Sequence, residues 1–395
     1  MMAVEETRFA TDFGEVTLSR HSRSNTKKEQ NLRPWDAADA LLCAHLAEQS
    51  PAPGTRFLVA NDQYGALTAA LTGAASTYPI HFASDSFISQ QATRKNLADN
   101  HLSDASITWH TSLDTIEGKV DYLLIKLPKS LALLEDQLYR YRQVCTPTTQ
   151  VIAAGMVKYM PAGAFKLFEK ILGSTQTSLA KKKARLIFCT PQLSDKKGAS
   201  PYPAAYQLEN TDYQIDNHAN VFSRESLDIG TRFLLASLPT FEGVTQRYQT
   251  DKINIADLGC GNGIIGLLAA ERCPQANIDF YDESFMALAS AEANFSRAFP
   301  EKKARFIADD CMSSAVAGHY QMILCNPPFH QHTVVGDFVA QQMFRDAKNA
   351  LQQGGEFWVV GNRHLGYADS LKRLFGHCSV VATNNKFVVL RAVKR

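Results

Sequence analysis

The sequence contains no long apolar run and no N-terminal segment typical of a secretion signal. None of its apolar stretches approaches the roughly 18 residues that a membrane-spanning helix needs. The segment Met1–Ala10 includes Glu5 and Glu6 and has no apolar core ahead of a small-residue cleavage site. We therefore expect no membrane association and a cytoplasmic location.

Paired cysteines are also absent. The chain has 8 cysteines, and no two of them form a C-x-x-C pair. Several stand inside strand-like apolar runs such as Leu186–Cys189. This pattern argues against a disulfide framework and against a zinc site. We predict no bound metal and expect the cysteines to be small buried apolar residues.

A strong net charge is missing as well, but the basic residues are unevenly distributed. The chain of 395 residues has a formal net charge of +2, whereas residues 151–200 hold nine Lys and Arg against two Asp and Glu. The densest part of this window is Lys181, Lys182, Lys183 and Arg185. Two interpretations stay open, a patch that contacts nucleic-acid phosphates and a solvated helix face.

The sequence does have the length for two domains and a candidate linker between them. A chain of 395 residues exceeds one ordinary core. Residues 191–203 are rich in Pro, Gly, Ser and Lys and lie between two apolar regions, which is typical of a linker. We therefore predict two domains, residues 1–195 and 196–395.

The two halves repeat each other at an offset of about 200 residues. Three pairs of segments correspond, each a strand-like run with the turn that follows it: Leu58–Gly65 and Ile255–Gly263, Phe82–Phe87 and Phe280–Phe285, Tyr122–Lys129 and Met322–Phe329. The members in the first half lack most of the glycines and acidic residues of their counterparts. The scaffold repeats while its polar residues do not, which predicts one functional and one degenerate domain.

Strand-like runs alternate with helical segments in both halves, which predicts parallel sheets covered by helices on both faces. Near the end of the chain, two strand-like runs flank Asn384 and Asn385, a pattern typical of an antiparallel hairpin. This topology resembles that of the Rossmann-like class I methyltransferases. We predict an α/β fold of two tandem domains of this type, the N-terminal one degenerate. Each is expected to have a mostly parallel seven-stranded sheet with a C-terminal antiparallel hairpin.

A glycine loop follows the first strand of the second domain. Residues 257–263 read Asp-Leu-Gly-Cys-Gly-Asn-Gly, and a helix follows them. Glycines lack a Cβ atom, so a ligand can approach this backbone closely. The spacing differs from the G-x-G-x-x-G of dinucleotide-binding loops, and the acid before the loop suits a cationic amino acid moiety better than a pyrophosphate. The candidate cofactor-binding residues here are Asp257, Gly259, Gly261, Asn262 and Gly263.

Acidic residues end the next two strands. Asp282 ends the second strand, where a carboxylate can accept hydrogen bonds from a ribose diol. Asp309 and Asp310 end the third strand. One of them is expected to accept from the exocyclic amine of an adenine and the other to cap the next helix. The sequence does not distinguish between these two assignments.

The fourth strand ends in Asn326, Pro327, Pro328 and Phe329. An amino group on a purine ring is a poor nucleophile because its lone pair is delocalised into the ring. The carbonyls of the Asn326 side chain and the Pro327 backbone can accept its two N–H bonds and leave the lone pair facing a methyl donor. The prolines fix the backbone, and Phe329 can stack on the base. These four residues are the predicted catalytic residues of an exocyclic-amine methyltransferase.

Residues 220–235 narrow the resemblance. They contain Val-Phe-Ser-Arg-Glu-Ser-Leu-Asp-Ile-Gly, similar to the V-F-S-R-x-x-L-D-x-G segment of the bacterial ribosomal RNA guanine-N2 methyltransferases. Members of that family have two tandem methyltransferase folds, the first degenerate. The resemblance implies S-adenosylmethionine as the cofactor, and it implies that four residues border the cofactor pocket: Phe222, Ser223, Asp228 and Thr231. In the first half, the glycines, the acid and the catalytic Asn are replaced by Asn61, Gln63, Ser84 and Lys126.

The segment Asn31–Asp39 resembles the members of the family that act on 23S ribosomal RNA. The resemblance implies methyl transfer to N2 of a guanine in 23S RNA. We expect a monomer whose first domain holds RNA through the basic window and through Lys126 and Lys129. Three alternatives stay open: 16S RNA as the substrate, a protein glutamine or DNA adenine as the methyl acceptor, and a non-catalytic RNA-binding or assembly factor. The intact cofactor residues of the second half argue against the last.

Overall fold

The computed structural model describes residues 7–21, 32–75, 77–193, 198–239, 253–328 and 334–395, with the backbone alone for 334–337. The chain divides into two compact units, Met1–Tyr202 and Pro203–Arg395. This division lies within the linker predicted at 191–203. The domain boundary predicted after residue 195 falls on residues 194–197, which lie outside the described residues.

The first unit is built around a seven-stranded sheet. It contains a small hairpin of β1 (Arg8–Thr11) and β2 (Gly14–Thr17), the sheet strands β3 (Phe57–Ala60), β4 (Ile80–Ser84), β5 (Ile107–Thr111), β6 (Tyr122–Lys126), β7 (Gln150–Met156), β8 (Gly173–Thr177) and β9 (Ala184–Pro191), and helices α1 (Ala37–Gln49), α2 (Ala66–Ala74), α3 (Phe87–Asp99), α4 (Leu131–Tyr141) and α5 (Ala164–Ile171). The strand order is β5-β4-β3-β6-β7-β9-β8. Strands β3 to β7 are parallel, and β9 pairs antiparallel with both β7 and β8.

The second unit repeats this architecture. It contains a small hairpin of β10 (Ala204–Gln207) and β11 (Gln214–Asn217), the sheet strands β12 (Asn254–Leu258), β13 (Asn277–Asp282), β14 (Arg305–Ala308), β15 (Tyr320–Cys325), β16 (Leu351–Asn362), β17 (Ser379–Thr383) and β18 (Phe387–Val393), and helices α6 (Ile229–Ser237), α7 (Ile264–Arg272), α8 (Phe285–Ala298), α9 (Val334–Ala350) and α10 (Tyr367–Phe375). The strand order β14-β13-β12-β15-β16-β18-β17 matches that of the first unit. Strand β18 again pairs antiparallel with both of its neighbours.

The apolar sequence of the central strands explains why they lie inside the sheets. Every residue of β15 is buried, as expected for a parallel strand that helices cover on both faces. Side-chain caps define several helix starts. Asp36 caps α1 and Ser284 caps α8, each by accepting hydrogen bonds from backbone N–H groups of the first turn. The prediction of two tandem α/β domains, each with a mostly parallel seven-stranded sheet and a C-terminal antiparallel hairpin, is confirmed.

The two small hairpins were not predicted, and one asparagine at the same position of each unit bonds both the hairpin segment and a loop of the sheet. In the second unit, Asn294 donates from Nδ2 to the carbonyls of Asp216 and Asn262 (both 3.0 Å), and its Oδ1 accepts from the N–H of Asp216 (2.8 Å). In the first unit, Asn96 donates to the carbonyls of Ser19 (2.9 Å) and Tyr64 (2.8 Å), and its Oδ1 accepts from the N–H of Ser19 (2.9 Å). In the first unit the asparagine thus joins the segment after the hairpin to the loop before α2. In the second unit it joins a hairpin strand to the loop before α7.

None of the helices that the structure describes is both long and apolar enough to cross a membrane.

Candidate active site

The predicted site residues of the second unit gather at one edge of its sheet. Strands β12, β13, β14 and β15 are parallel neighbours, so their carboxyl ends meet at the same edge. The glycine loop follows β12, Asp282 ends β13, Asp309 and Asp310 follow β14, and Asn326 follows β15. Open parallel sheets bind ligands outside this edge.

The glycine loop adopts a backbone that favours glycine. Gly259, Gly261 and Gly263 have φ angles of 71°, 54° and 77°, a region in which a side chain is strained. A Cβ on Gly263 would lie 2.7 Å from the Cβ of Ala291, so this glycine allows α7 to pack against α8. A Cβ on Gly261 would meet no atom within 4 Å, so Gly261 leaves space next to the loop.

Asp257 presents an unpaired carboxylate oxygen beneath this loop. Its Oδ2 accepts from the N–H of Gly266 (2.8 Å), whereas its buried Oδ1 has no hydrogen-bond partner among the described residues. Burial raises the pKa of Asp257 to about 8, against the lowering effect of the bond from Gly266. A cation at Oδ1 would stabilise the ionised carboxylate. The residues therefore fit a cofactor with an ammonium group, such as S-adenosylmethionine.

Asp282 joins the end of β13 to the glycine loop. Its Oδ2 accepts from the N–H of Gly261 (2.9 Å), and its Oδ1 accepts from the N–H of Ser284 (2.9 Å). Burial raises the pKa of this carboxyl. Each carboxylate oxygen can accept more than one bond, so Asp282 can hold the loop and still accept from a diol. Its counterpart in the first unit, Ser84, has no carboxylate.

The structure distinguishes the two acids after β14. Asp309 is 2% exposed and is hydrogen-bonded by the turn that follows it. Its Oδ1 accepts from the Ser313 hydroxyl, and its Oδ2 accepts from the N–H and the hydroxyl of Ser314 (both 2.8 Å). Asp309 therefore stabilises the turn that follows β14, and it caps no helix among the described residues.

The amide of Asn326 is held in one orientation by two residues at the start of α6. Its Nδ2 donates to Thr231 Oγ1 (2.8 Å) and to Asp228 Oδ2 (3.2 Å). A carboxylate only accepts hydrogen bonds, so the amide nitrogen must face Asp228. The opposite atom, Asn326 Oδ1, is buried and has no partner among the described residues. An acceptor is thus left for a ligand at the end of β15.

Asp228 owes its position to the helix that it caps. It is the N-cap of α6, and its Oδ2 accepts from the N–H of Thr231 (2.8 Å). Capping places the carboxylate and the Thr231 hydroxyl side by side, where both reach Asn326. The resemblance implied that these residues border the cofactor pocket; in the structure they contact the candidate catalytic amide.

Other predicted site residues have different surroundings. Phe222 is 71% exposed, and the Ser223 hydroxyl donates to the carbonyl of Ser226 (2.8 Å). Asn262 directs its Nδ2 to Asn217 Oδ1 (2.9 Å) in β11 rather than to the open side of the loop. Pro327 is buried and Pro328 exposed, while Phe329 lies outside the described residues.

In the first unit, Lys126 occupies the place of Asn326. Its Nζ lies 2.9 Å from Asp36 Oδ1 and 2.6 Å from Asp39 Oδ1. Asp36 caps α1 and Asp39 is in its first turn, as Asp228 and Thr231 are in α6. Burial raises the pKa of Asp39 to about 6, which Lys126 opposes. The ammonium group of Lys126 is paired with two carboxylates and its side chain is 15% exposed, which does not fit the expectation that Lys126 contacts RNA.

Other polar side chains at this edge of the first unit are also bonded within the unit. Asp62 Oδ1 accepts from the N–H of Ala66 (3.0 Å), and its Oδ2 accepts from the N–H and hydroxyl of Thr68 (2.9 and 2.8 Å). The amides of Asn61 and Gln137 bond each other in both directions at 2.8 Å. These contacts leave neither oxygen of Asp62 unpaired, in contrast to Asp257.

Sequence reasoning assigned no site role to three residues that support the glycine loop. Asn294 bonds the carbonyl of Asn262, Asn217 bonds the side chain of Asn262, and Met343 Cε would lie 2.9 Å from a Cβ on Gly259. The recurrence of Asn96 at the position of Asn294 was the available signal for the first. Among the residues that the structure describes, no three His, Cys, Asp or Glu side chains are grouped to hold a metal ion.

Two family models and a solved structure match the chain. The RLMG N-terminal domain matches residues 6–193, and the methyltransferase small domain matches residues 212–391. The T. thermophilus 16S rRNA N2 methyltransferase, solved in complex with AdoMet and guanosine, is 19% identical, covers 98% of each chain and has a TM-score of 0.73. The fold and the edge site define an S-adenosylmethionine-dependent methyltransferase built from two tandem copies of the class I fold.

Relatives with similar sequences span almost the whole chain. The ribosomal RNA large subunit methyltransferase G of Aeromonas salmonicida is 45% identical over 96% of this chain and 97% of its own. The proteins of the same name from Erwinia tasmaniensis and Pseudomonas aeruginosa are 46% and 45% identical, over 95% and 98% of this chain and 97% and 99% of their own. The chain belongs to the ribosomal RNA large subunit methyltransferase G family.

Proposed function

We propose that the protein transfers a methyl group from S-adenosylmethionine to the exocyclic N2 of a guanine in 23S ribosomal RNA. One observation carries the chemical part of this proposal: the buried Oδ1 of Asn326 has no partner among the described residues and is fixed in direction by Asp228 and Thr231. The family supports the RNA part, because its members are named for the large ribosomal subunit. The alternative substrate is 16S RNA, and it is suggested by the T. thermophilus 16S rRNA methyltransferase, which has a similar fold.

Asn326 activates the guanine amino group by accepting one of its N–H bonds at Oδ1. The backbone carbonyl of Pro327 accepts the other, and two consecutive prolines restrict the backbone that directs it. With both N–H bonds held, the nitrogen becomes more pyramidal and its lone pair is directed at the reacting carbon. We assign Asn326, Pro327, Pro328 and Phe329 to this function, with Phe329 stacking on the base.

The cofactor supplies the electrophilic methyl group, and the residues at the sheet edge hold it. We assign the ammonium group to Asp257 Oδ1, the close backbone approach to Gly259, Gly261 and Gly263, and the ribose hydroxyls to Asp282. Asp310 is assigned to adenine, because Asp309 is buried and accepts three bonds within its own turn, whereas Asp310 is half-buried. Asn262 supports the loop through its bond to Asn217. We place Phe222 and Ser223 at the rim of the cofactor pocket.

The N-terminal domain, residues 1–195, is proposed to hold the RNA and residues 196–395 to catalyse the reaction. Lys181, Lys182 and Lys183 are exposed in the turn between β8 and β9, and Arg185 is half-buried on β9. None of these four forms an ion pair within the described part of the chain. We therefore assign them to RNA phosphates.

An exposed aromatic residue lies near this turn. Tyr159 is 59% exposed, and the ammonium groups of Lys158 and Lys129 lie 5.4 and 5.9 Å from its ring centroid. The N–H of Val157 donates to the carbonyl of Lys183 (2.8 Å), which brings the two segments together. An aromatic ring among cations is typical of surfaces that bind unpaired bases. The chain is proposed to act as a monomer in the cytoplasm, where ribosomal RNA is assembled.

The decisive experiment maps methylated nucleosides in 23S and 16S RNA by mass spectrometry, from cells with and without the protein. We expect one N2-methylguanine of 23S RNA to disappear without the protein and to return with the wild-type chain. Asn326→Ala should not restore it, with a loss of at least about 100-fold in kcat, as for removal of other preorganised hydrogen-bonding groups. The same variant should still bind S-adenosylmethionine. A methyl group that depended on the protein but lay in 16S RNA, DNA or protein would contradict the substrate assignment.

A further inference from the structure

A polar cavity lies at the carboxyl edge of the sheet of the second unit. It has a volume of about 470 Å³ and is lined by Asn362, Arg363, His364, Asn385 and Lys386. Arg363, His364, Asn385 and Lys386 are exposed, so the cavity is open to solvent. No residue of this group belongs to the methyl-transfer site described above.

The register of the sheet places this cavity next to Asn326. Strands β15 and β16 are parallel, and Cys325 pairs with Val359. Asn362, at the end of β16, is therefore two residues further along the neighbouring strand than the position opposite Asn326. Two residues of strand span about 7 Å, and neighbouring strands are about 5 Å apart. A ligand in the cavity would lie close to the base held by Asn326.

The cavity offers two permanent cations and an unpaired acceptor. The N–H of Arg363 donates to the carbonyl of Lys386 (3.0 Å), which fixes the two basic residues beside each other. Asn384 Oδ1 holds the turn by accepting from the N–H groups of Lys386 (2.9 Å) and Phe387 (2.7 Å). Asn362 is 4% exposed, and its Oδ1 has no partner among the described residues. A ligand with a phosphate and a hydrogen-bond donor satisfies all three groups.

The first unit has the same backbone link at the same place. There the N–H of Val157, directly after β7, donates to the carbonyl of Lys183, directly before β9. In the second unit the N–H of Arg363, directly after β16, donates to the carbonyl of Lys386, directly before β18. The tandem fold thus juxtaposes a strand end and a hairpin turn in both units, and both units carry basic side chains there.

We infer that this cavity binds a phosphodiester of the substrate RNA beside the target guanine, with Arg363 and Lys386 contacting the phosphate and Asn362 accepting from a neighbouring 2′-hydroxyl. The inference rests on the proposed function for the identity of the ligand. It assigns to the catalytic unit a nucleotide contact of its own, separate from the lysines of the first unit. Arginine and lysine both bind phosphate, and the 2′-hydroxyl is the group that distinguishes RNA from DNA.

The test measures binding of a labelled single-stranded 23S RNA fragment to the full chain over a series of salt concentrations. Arg363→Glu and Lys386→Glu are compared with Lys303→Glu, an exposed lysine just before β14 at the opposite edge of the same sheet. We expect each cavity variant to raise Kd about tenfold or more and to reduce the slope of log Kd against log salt by about one. Lys303→Glu should change neither by a comparable amount, and all three variants should bind S-adenosylmethionine normally.

A second arm compares the RNA fragment with the 2′-deoxy fragment of the same sequence. The wild-type chain should prefer RNA, and Asn362→Ala should reduce that preference. Cavity variants that match Lys303→Glu in both Kd and salt slope, or a wild-type chain that does not bind the fragment, would overturn the inference. A wild-type chain that binds RNA with the expected variant effects but adds no methyl group would contradict the proposed function and leave the phosphate site standing.

Discussion

Asn326 and Lys126 end equivalent strands, and the residues that hold them are equivalent too. Each side chain contacts the N-cap and the third residue of the helix that faces it, Asp228 and Thr231 in one case. The amide donates two bonds from Nδ2 and leaves Oδ1 for a substrate. The ammonium group of Lys126 has donors alone, and two carboxylates accept from it. The proposed catalytic strand end thus differs from its counterpart because it keeps an acceptor that is unpaired among the described residues.

This comparison predicts that Thr231 is a positioning residue for the Asn326 amide. Thr231→Val keeps the shape and removes the acceptor at 2.8 Å from Asn326 Nδ2. The loss of one such hydrogen bond, worth about 1 kcal/mol, should lower kcat about fivefold. The KM for S-adenosylmethionine and the thermal midpoint should change little, and Thr231→Ser should restore the rate. A purely structural role would lower stability in both variants and leave kcat per folded molecule unchanged.

Asn96 and Asn294 show how the small hairpins are tied to the main elements. Both lie on the helix after the second strand of their sheet, and both bond the backbone of two other segments. Asn294 holds the carbonyl of Asn262 in the glycine loop, and Asn96 holds the carbonyl of Tyr64 in the corresponding loop of the first unit. Because only the loop of the second unit carries the proposed cofactor site, we expect the contact to affect cofactor binding in that unit alone.

Asn294→Ala and Asn96→Ala form a matched pair for testing this consequence. Each leaves buried backbone groups unpaired, which costs about 1–3 kcal/mol, so chemical denaturation should show a comparable loss of stability in the unit that carries the substitution. Binding of S-adenosylmethionine, measured by calorimetry, should weaken severalfold in Asn294→Ala and stay at the wild-type value in Asn96→Ala. Equal cofactor affinity in the two variants would contradict a role of Asn294 in the glycine loop.

The large elements and the strand-end residues were predictable because their signals are local. The buried runs of β12 to β15, the glycines after β12 and the prolines after Asn326 are each contained in a few consecutive residues. The small hairpins were not predicted, since half of β10 is exposed and its four residues show no strong apolar pattern. The contact between Asn326 and Asp228 joins residues 98 positions apart, which no local pattern encodes. Sequence alone also left Asp309 and Asp310 equivalent, and only the turn at Ser313 and Ser314 separates them.

The charge of the whole molecule is nearly balanced, yet the basic residues of the first unit are concentrated where its sheet ends. Lys129 follows β6, Tyr159 follows β7, and Lys181–Lys183 precede β9, so all of them lie at the carboxyl edge. Lys126, at the same edge, is neutralised by Asp36 and Asp39. The edge that holds the proposed catalytic site in the second unit therefore presents exposed cations in the first. A degenerate copy whose strand-end acids are paired within the unit can still attract the RNA backbone electrostatically.

This division of labour predicts separate effects on RNA affinity and on chemistry. The triple replacement of Lys181, Lys182 and Lys183 by Glu should weaken binding to 23S RNA, with a reduction in the salt slope of about one for each lost phosphate contact. At saturating RNA, kcat should remain close to the wild-type value, since no residue of the second unit changes. The control compares the RNA affinity of two single variants of the first unit, Lys182→Glu and Lys95→Glu. Lys95 is an exposed lysine on α3. If the two single variants had equal RNA affinity and the triple variant bound RNA as tightly as the wild-type chain, the three lysines would not belong to the RNA-binding surface.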